Sequence, residues 1–330
     1  MVTRRNFTLA ATAAALTAAA PVLAAHASVE LSADAATSNR PVTIIVPFAK
    51  NGTTDQVARL IAEPLAKALG SPVNVKNITG DWGATGSVIA ATSAADGHTL
   101  IMGQTATHVM TARQGISKRY NAQKDFAAVG LVGISPITFV VRNSMPVQDL
   151  ADLEAYLKVN QDSLSIAHGG HGTPSYIGAR KLKSALGAES LNEKTYASTM
   201  AAMEDLATGQ ADIMATSLPQ ALPFIKAGKV KALGLASTSR NIALPETFTG
   251  TQQGYADLRA SHWNGLFAPA GLKPEIQAKL ASALAKALAD PSAHRKMRDL
   301  GIHVPFVEQQ GPQALAELQT RELADLTVTA

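Results

Sequence analysis

The chain has 330 residues, 46% of them hydrophobic and 16% charged, which is enough apolar material for a large core, exceeds one average domain and excludes intrinsic disorder. It contains no cysteine, which excludes disulfides, thiol chemistry and cysteine-ligated metal. The formal net charge of +4 includes Arg4 and Arg5; without them 27 basic residues face 25 acidic ones, a balance of +2 that calls for no nucleic-acid partner.

The first 27 residues read as an export signal. Thr3-Arg4-Arg5-Asn6-Phe7-Thr8-Leu9 is a twin-arginine n-region. The Ala/Leu-rich stretch after it is about 15 residues long, too short to span a bilayer. Ala25-His26-Ala27 is an A-x-A cleavage site. The expected mature chain starts at Ser28, in the periplasm. It contains no other run of 18 apolar residues and is therefore expected to be soluble. A polar arm, Ser28 to Arg40, precedes the folded part.

From Pro41 the chain repeats one pattern: apolar strand, small polar loop, amphipathic helix. Val42–Val46 is a β-branched run of the kind buried on both faces of a parallel sheet. The helix after it carries Val57, Leu60, Ile61, Leu65 and Ala68 on one stripe, with Pro64 expected to kink it and Gly70 to end it. Short strands are expected at Val73–Val75 and Thr99–Met102, with a helix over Ala84–Ala94 between them. The unit recurs where Leu164–Ala167 leads through His168-Gly169-Gly170-His171-Gly172-Thr173-Pro174-Ser175 into a helix reaching Leu186. It recurs again where Lys194–Tyr196 leads through Ala197-Ser198-Thr199 into a helix to Leu206. Further strands are expected at Asp212–Ala215 and Lys231–Ala236, and helices at Pro219–Lys226, Pro274–Ala289, Pro291–Leu300 and Pro312–Leu326. The fold class is α/β with parallel strands.

In such sheets ligands sit beyond the carboxyl ends of the strands, where helix N-termini offer unpaired N–H groups and the positive end of the dipole. Hydroxyls of Thr53 and Thr54, or of Thr173 and Ser175, would complete an anion site. These same residues, with Asp55, are also ordinary helix caps. No phosphate-binding GxxxxGK[ST] and no GxGxxG directly after a strand is present, so a nucleotide has no cradle. His168 and His171 stand three apart in a loop without a nearby acid, a poor basis for a metal. No GxSxG and no recognisable carboxylate pair anchors hydrolysis. No cofactor is expected.

Several stretches, taken in order, resemble the Bug-type extracytoplasmic solute-binding proteins, the binding component of tripartite tricarboxylate transporters. They include Val46-Pro47-Phe48 with Gly52-x-Thr54-Asp55, Asn77-x-x-Gly80-x-x-Gly83, Asp96-Gly97-x-Thr99-Leu100 and Lys124-Asp125-Phe126-x-x-Val129. Gly170-x-Gly172-Thr173-Pro174-Ser175, Gly209-Gln210-Ala211-Asp212 and Trp263-x-Gly265-Leu266-Phe267-Ala268-Pro269-Ala270-Gly271 follow. The resemblance implies a type II periplasmic-binding-protein fold: two lobes joined by crossing strands near Leu131–Val141 and Ser261–Phe267, with the ligand cleft between them. One lobe would hold residues 28–132 and 256–330, the other 133–255. It also implies a monomer that binds a small organic carboxylate through backbone N–H groups, hydroxyls and waters and hands it to membrane permease subunits. Carried across, the ligand loops are Phe48, Asn51, Thr53, Thr54 and Asp55, helped by Thr105 and Ala106, and His168, His171, Gly172, Thr173 and Ser175, helped by Ser198 and Ser217. The chain departs from the family at Asn51, where Gly-Gly is usual, and at Asp81-Trp82 inside the usual Gly-Ala-Gly-Gly. Trp82 could stack on an aromatic acid, and Asp81 or Asn51 could pair with an amine or hydroxyl. The alternatives are an enzyme on the same scaffold using His168 or His171, and the ligand-binding subunit of a sensor.

Overall fold

The computed structural model of the chain describes residues 40–110, 119–170 and 173–328. The export signal lies outside the described residues, as do His171 and Gly172. Among the described residues, nine strands form one mixed sheet whose two halves carry separate cores.

The first half is built from β1 (Val42–Val46), β2 (Val73–Asn77) and β3 (Thr99–Gly103), which pair in parallel, and α1 (Thr53–Leu69) and α2 (Ala84–Ala91). Neighbouring residues on these strands bury opposite faces. Ile44 and Leu100 join the core beneath Val57, Ile61 and Leu65 of α1, while Ile45 and Ile101 join a second core with Trp263 and Phe267. That is why the strands read as continuous apolar runs rather than alternating ones. α1 continues through Pro64 as one helix and ends at Gly70, whose φ of +69° and N–H bond to the Ala66 carbonyl close it. α2 ends at Ala91, short of the expected Ala94. There the Thr92 and Ser93 hydroxyls donate to the carbonyls of Val88 and Ile89, the back-bonding by which such residues compete with helix propagation.

The chain then crosses on β4 (Phe126–Arg142), a strand of 17 residues that changes partners midway. Phe126 to Pro136 pair antiparallel with β9 (Ser261–Pro269), and Ile137 onward with β7 (Ile213–Ser217) and β8 (Val230–Leu235). Pro136, which has no N–H to donate, sits where one ladder ends and the next begins. The sheet is therefore mixed: the parallel strands expected from the sequence are joined through two antiparallel crossing strands.

The second half has α3 (Leu150–Asn160), then β5 (Ser165–His168) in parallel with β6 (Asn192–Thr195) and β7, and α4 (Pro174–Ala185), α5 (Thr199–Ala207) and α6 (Leu218–Lys226) between them. Its two faces divide the apolar side chains as before: Ile166, Ile213 and Val141 to one core, Ala167, Met214 and Val140 to the other. The strand expected at Lys194–Tyr196 lies two residues earlier, as an exposed edge strand. After β9 the chain returns to the first half as α7 (Pro274–Leu288), α8 (Pro291–Asp299), α9 (Val307–Gln310) and α10 (Pro312–Val328). Among the described residues no helix is long and apolar enough to cross a membrane.

Candidate ligand cleft

Four strand-to-helix junctions converge on one cleft of about 600 Å³. Phe48, Thr53 and Thr54 line it from the β1–α1 junction, and Thr173 and Ser175 from β5–α4. Ser198 lines it from β6–α5, and Thr216, Ser217 and Gln220 from β7–α6. The turn Gly80–Gly83, with Trp82, forms its rim. Thr54 and Thr173, which the sequence places in two separate ligand loops, line one cavity from opposite halves of the sheet.

The junctions differ in how their N-terminal N–H groups are used. At α4 the Thr173 hydroxyl accepts from the Tyr176 N–H at 3.3 Å and donates to the Gly170 carbonyl at 2.7 Å, and the Ser175 hydroxyl accepts from the Gly169 N–H at 2.9 Å. At α5 the Ser198 hydroxyl accepts from the Ala201 N–H at 3.1 Å. Here the cap and the cleft lining are the same residues, so removing either hydroxyl also weakens a helix start. At α1 the capping residue is Gly52 and no side chain caps the helix. At α6 the capping residue Ser217 makes no capping bond; its hydroxyl reaches across the cleft to the Thr53 hydroxyl, 2.7 Å away. Two helix N-termini without side-chain caps therefore meet in the cleft, and their macrodipoles favour an anion there.

A second contact closes the rim. Gly170 has a φ of +99°, and a Cβ on it would stand 2.6 Å from the Trp82 indole nitrogen. Only glycine both adopts that backbone and lets the indole approach.

Asp55 lies behind the cleft lining and holds the first loop in place. Its carboxylate accepts from the Asn51 N–H at 2.9 Å, from Arg59 and from the Asn77 amide at 2.9 Å, and Asn77 also donates to the Phe48 carbonyl at 3.0 Å. Burial alone would raise the carboxyl's pKa. The bonds from Arg59, Asn51 and Asn77 outweigh burial and hold it below the usual carboxylate range. Asn51 is exposed and takes a φ of +67°, a left-handed conformation that asparagine tolerates and glycine prefers. Its side chain is not part of the cleft lining.

Thr105, Ala106 and His168 also fall outside the lining. The Thr105 hydroxyl donates to Glu322 of α10, which also accepts from the Trp263 indole. Ala106 is buried, with its N–H on the Gln104 side chain. His168 is buried, its Nδ1 accepting from the Gly170 N–H, its Nε2 3.4 Å from Glu193 and its ring edge-on to Tyr176. Among the described residues no group of three or more His, Asp or Glu is placed to hold a metal.

Gln104, Thr216, Gln220 and His262 also line the cleft and escape the sequence reading. Gln104 directly follows β3, Thr216 lies on β7, Gln220 in the first turn of α6 and His262 on the crossing strand β9. The available signal is a lone histidine beginning an otherwise apolar strand, Ser261-His262-Trp263. A larger cavity of about 1420 Å³ lies elsewhere, bounded by Ile134, Arg240, Arg259, Lys286 and Phe306, but of the sequence-chosen ligand residues it takes in only Thr105. Converging helix starts, rather than volume, single out the smaller cleft as the candidate.

Residues 57–325 match the family described as the tripartite tricarboxylate transporter family receptor. MatC from Rhodopseudomonas palustris, solved with bound malate, is 35% identical with a TM-score of 0.80, over 87% of this chain and 97% of that one. The periplasmic binding protein BugD is 31% identical with a TM-score of 0.80, over 87% and 95%. A second R. palustris protein, solved with adipate, is 27% identical with a TM-score of 0.81, over 87% and 95%.

Proposed function

The chain belongs to the tripartite tricarboxylate transporter receptor family, and from that premise we propose that it captures a small organic carboxylate between its lobes and delivers it to the membrane subunits of a tripartite transporter. Members of this family are periplasmic solute-binding proteins, and the protein has their two-lobed α/β fold. The observation that carries the reading is the meeting of the α1 and α6 N-termini across the cleft, joined by the Thr53–Ser217 bond. Malate in MatC and adipate in the second R. palustris protein support a carboxylate as the ligand class. We place the lobes at residues 28–132 with 256–330 and at 133–255, so that β4 and β9 form the hinge. Thr53, Thr54, Thr173, Ser175, Ser198 and Ser217 are the residues proposed to meet the carboxylate.

A carboxylate that touches both helix starts makes all its hydrogen bonds only when the lobes meet. Charge-assisted bonds contribute roughly 1.5–3 kcal/mol each, so two that are lost on opening favour closure by about 3–6 kcal/mol. Calorimetry against a panel of mono-, di- and tricarboxylates should find a ligand, and X-ray scattering at saturation should show a smaller radius of gyration. Binding without any change in lobe separation rules out the clamp.

Export through residues 1–27 is part of the same reading. Protein recovered from the periplasm should begin at Ser28. Recovery there with Met1 intact overturns the export signal.

A further inference from the structure

His262 sits on the crossing strand β9, opposite Ser135 of β4, and lines the ligand cleft while being only 4% exposed. Neither ring nitrogen has a partner at full hydrogen-bond geometry; the Asn264 side chain near it, whose own Oδ1 is equally unpaired, can serve at most one of them. The Thr216 hydroxyl, on β7, lines the same cleft, is buried and is likewise unpartnered. A buried donor or acceptor left unpaired carries a desolvation penalty that proteins avoid nearly everywhere. Two residues carrying such shielded, unpaired atoms line one cavity, where a ligand's polar atoms can pair them.

The chemistry of these groups selects the atoms. Burial outweighs the hydrogen bond offered by Asn264 and pushes the His262 pKa down to about 4, so the ring is neutral in ordinary solution, with one N–H donor and one lone-pair acceptor of which Asn264 can take one. Thr216 adds a hydroxyl that can do either. Gln104 and Gln220, also buried in the lining, are uncharged. Lys50 is the one cation lining the cleft among the described residues, and it is exposed. A second carboxylate placed at His262 would lose its water and gain no opposing charge. A methylene there would leave an imidazole nitrogen unpaired. A hydroxyl or keto oxygen satisfies the imidazole without either penalty.

We propose that His262, together with Thr216, is the specificity-determining pair of this cleft and that it receives an uncharged oxygen function of the ligand, so that the preferred class is hydroxy- or oxocarboxylates. The inference rests on the carboxylate reading above. His262 touches the ligand, whereas the helix starts hold the carboxylate common to all candidates. Discrimination of this kind is large because a site built to hydrogen-bond a hydroxyl rejects an analogue that lacks it.

Calorimetry with two matched pairs, lactate against propionate and malate against succinate, tests this in the wild-type protein, His262→Leu and Thr216→Val. In the wild type the hydroxylated member of a pair should bind at least about tenfold tighter. In His262→Leu that ratio should fall to near one, through loss of affinity for the hydroxy acid and not for its parent. Thr216→Val, which preserves side-chain shape, should lower the ratio about threefold or more and carries the test if His262→Leu does not fold. Thermal unfolding of each variant reports folding separately. A wild-type ratio near one, or an unchanged ratio in the folded variants, overturns the role of His262 and Thr216 and leaves carboxylate binding standing. Failure of the wild-type protein to bind any carboxylate of the panel overturns both readings.

Discussion

Replacing Asp55 by alanine is expected to weaken carboxylate binding by roughly 10- to 100-fold, the loss of about one charge-assisted hydrogen bond to the ligand, although Asp55 does not line the cleft. The same change should lower folding stability by about 3 kcal/mol. That is the low end of the cost of breaking a buried ion pair, because Arg59 is 42% exposed and can turn to water. The carboxylate is the common acceptor for Asn51, Arg59 and Asn77, and Asn77 in turn holds the Phe48 carbonyl. Without it the left-handed conformation of Asn51 loses its restraint, and the start of α1 loses its aim. Asn51→Gly is the control. Glycine adopts φ of +67° without strain and the side chain it removes is outside the lining, so affinity and selectivity should stay within about twofold of wild type. Isothermal titration and urea unfolding of both variants check this. Wild-type affinity in Asp55→Ala defeats the bracing role, and altered ligand preference in Asn51→Gly returns Asn51 to the site.

Acid should destabilise the ligand-free protein in a window set by two histidines. His108 is buried against Phe267 and Phe126, and burial pushes its pKa from 6.5 to about 3; His262 falls from 6.5 to about 4 for the same reason. Both rings remain neutral in the folded chain while the unfolded chain takes up protons below pH 6.5. The unfolded state therefore binds more protons, and stability falls as pH falls. Each ring contributes at most about 1.4 kcal/mol per pH unit and less near its unfolded pKa, so the pair should lose roughly 3–4 kcal/mol between pH 7 and pH 5. Asp55 acts lower down. Its folded pKa is depressed, so its contribution is present above the unfolded value of 3.8 and disappears as pH falls through the folded one. Urea unfolding at pH 7, 6 and 5 measures the slope, and His108→Phe, which keeps a ring on Phe267, should halve it. Stability that is flat over this range would show that the imidazoles reach water or protonate while folded.

Thr53, Thr54, Thr173, Ser175 and Ser198, expected at junctions where a strand leads into a helix, and Ser217, carried over from the family resemblance, all line the cleft. The sequence reading placed Asp55 and Asn51 at the ligand because they share the first of these junctions. Loop membership does not reveal which way a side chain turns: Asp55 turns to brace the loop, and Asn51 is exposed outside the lining. Thr105, carried over from the family resemblance, has its hydroxyl committed to Glu322, 217 residues away.

By itself the sequence determined the elements, the two-sided burial of the parallel strands, and the family, because these depend on periodicity, turn residues and motif order within short windows. Tertiary structure alone decided which polar groups share a cavity. The Thr53–Ser217 bond joins residues 164 apart, and Gly170 makes room for an indole from the opposite half of the sheet. His262 reaches the cleft only because β9 returns to pair with β4. Such juxtapositions arise from strand order and partner switching at Pro136, contacts between distant segments that no local pattern encodes.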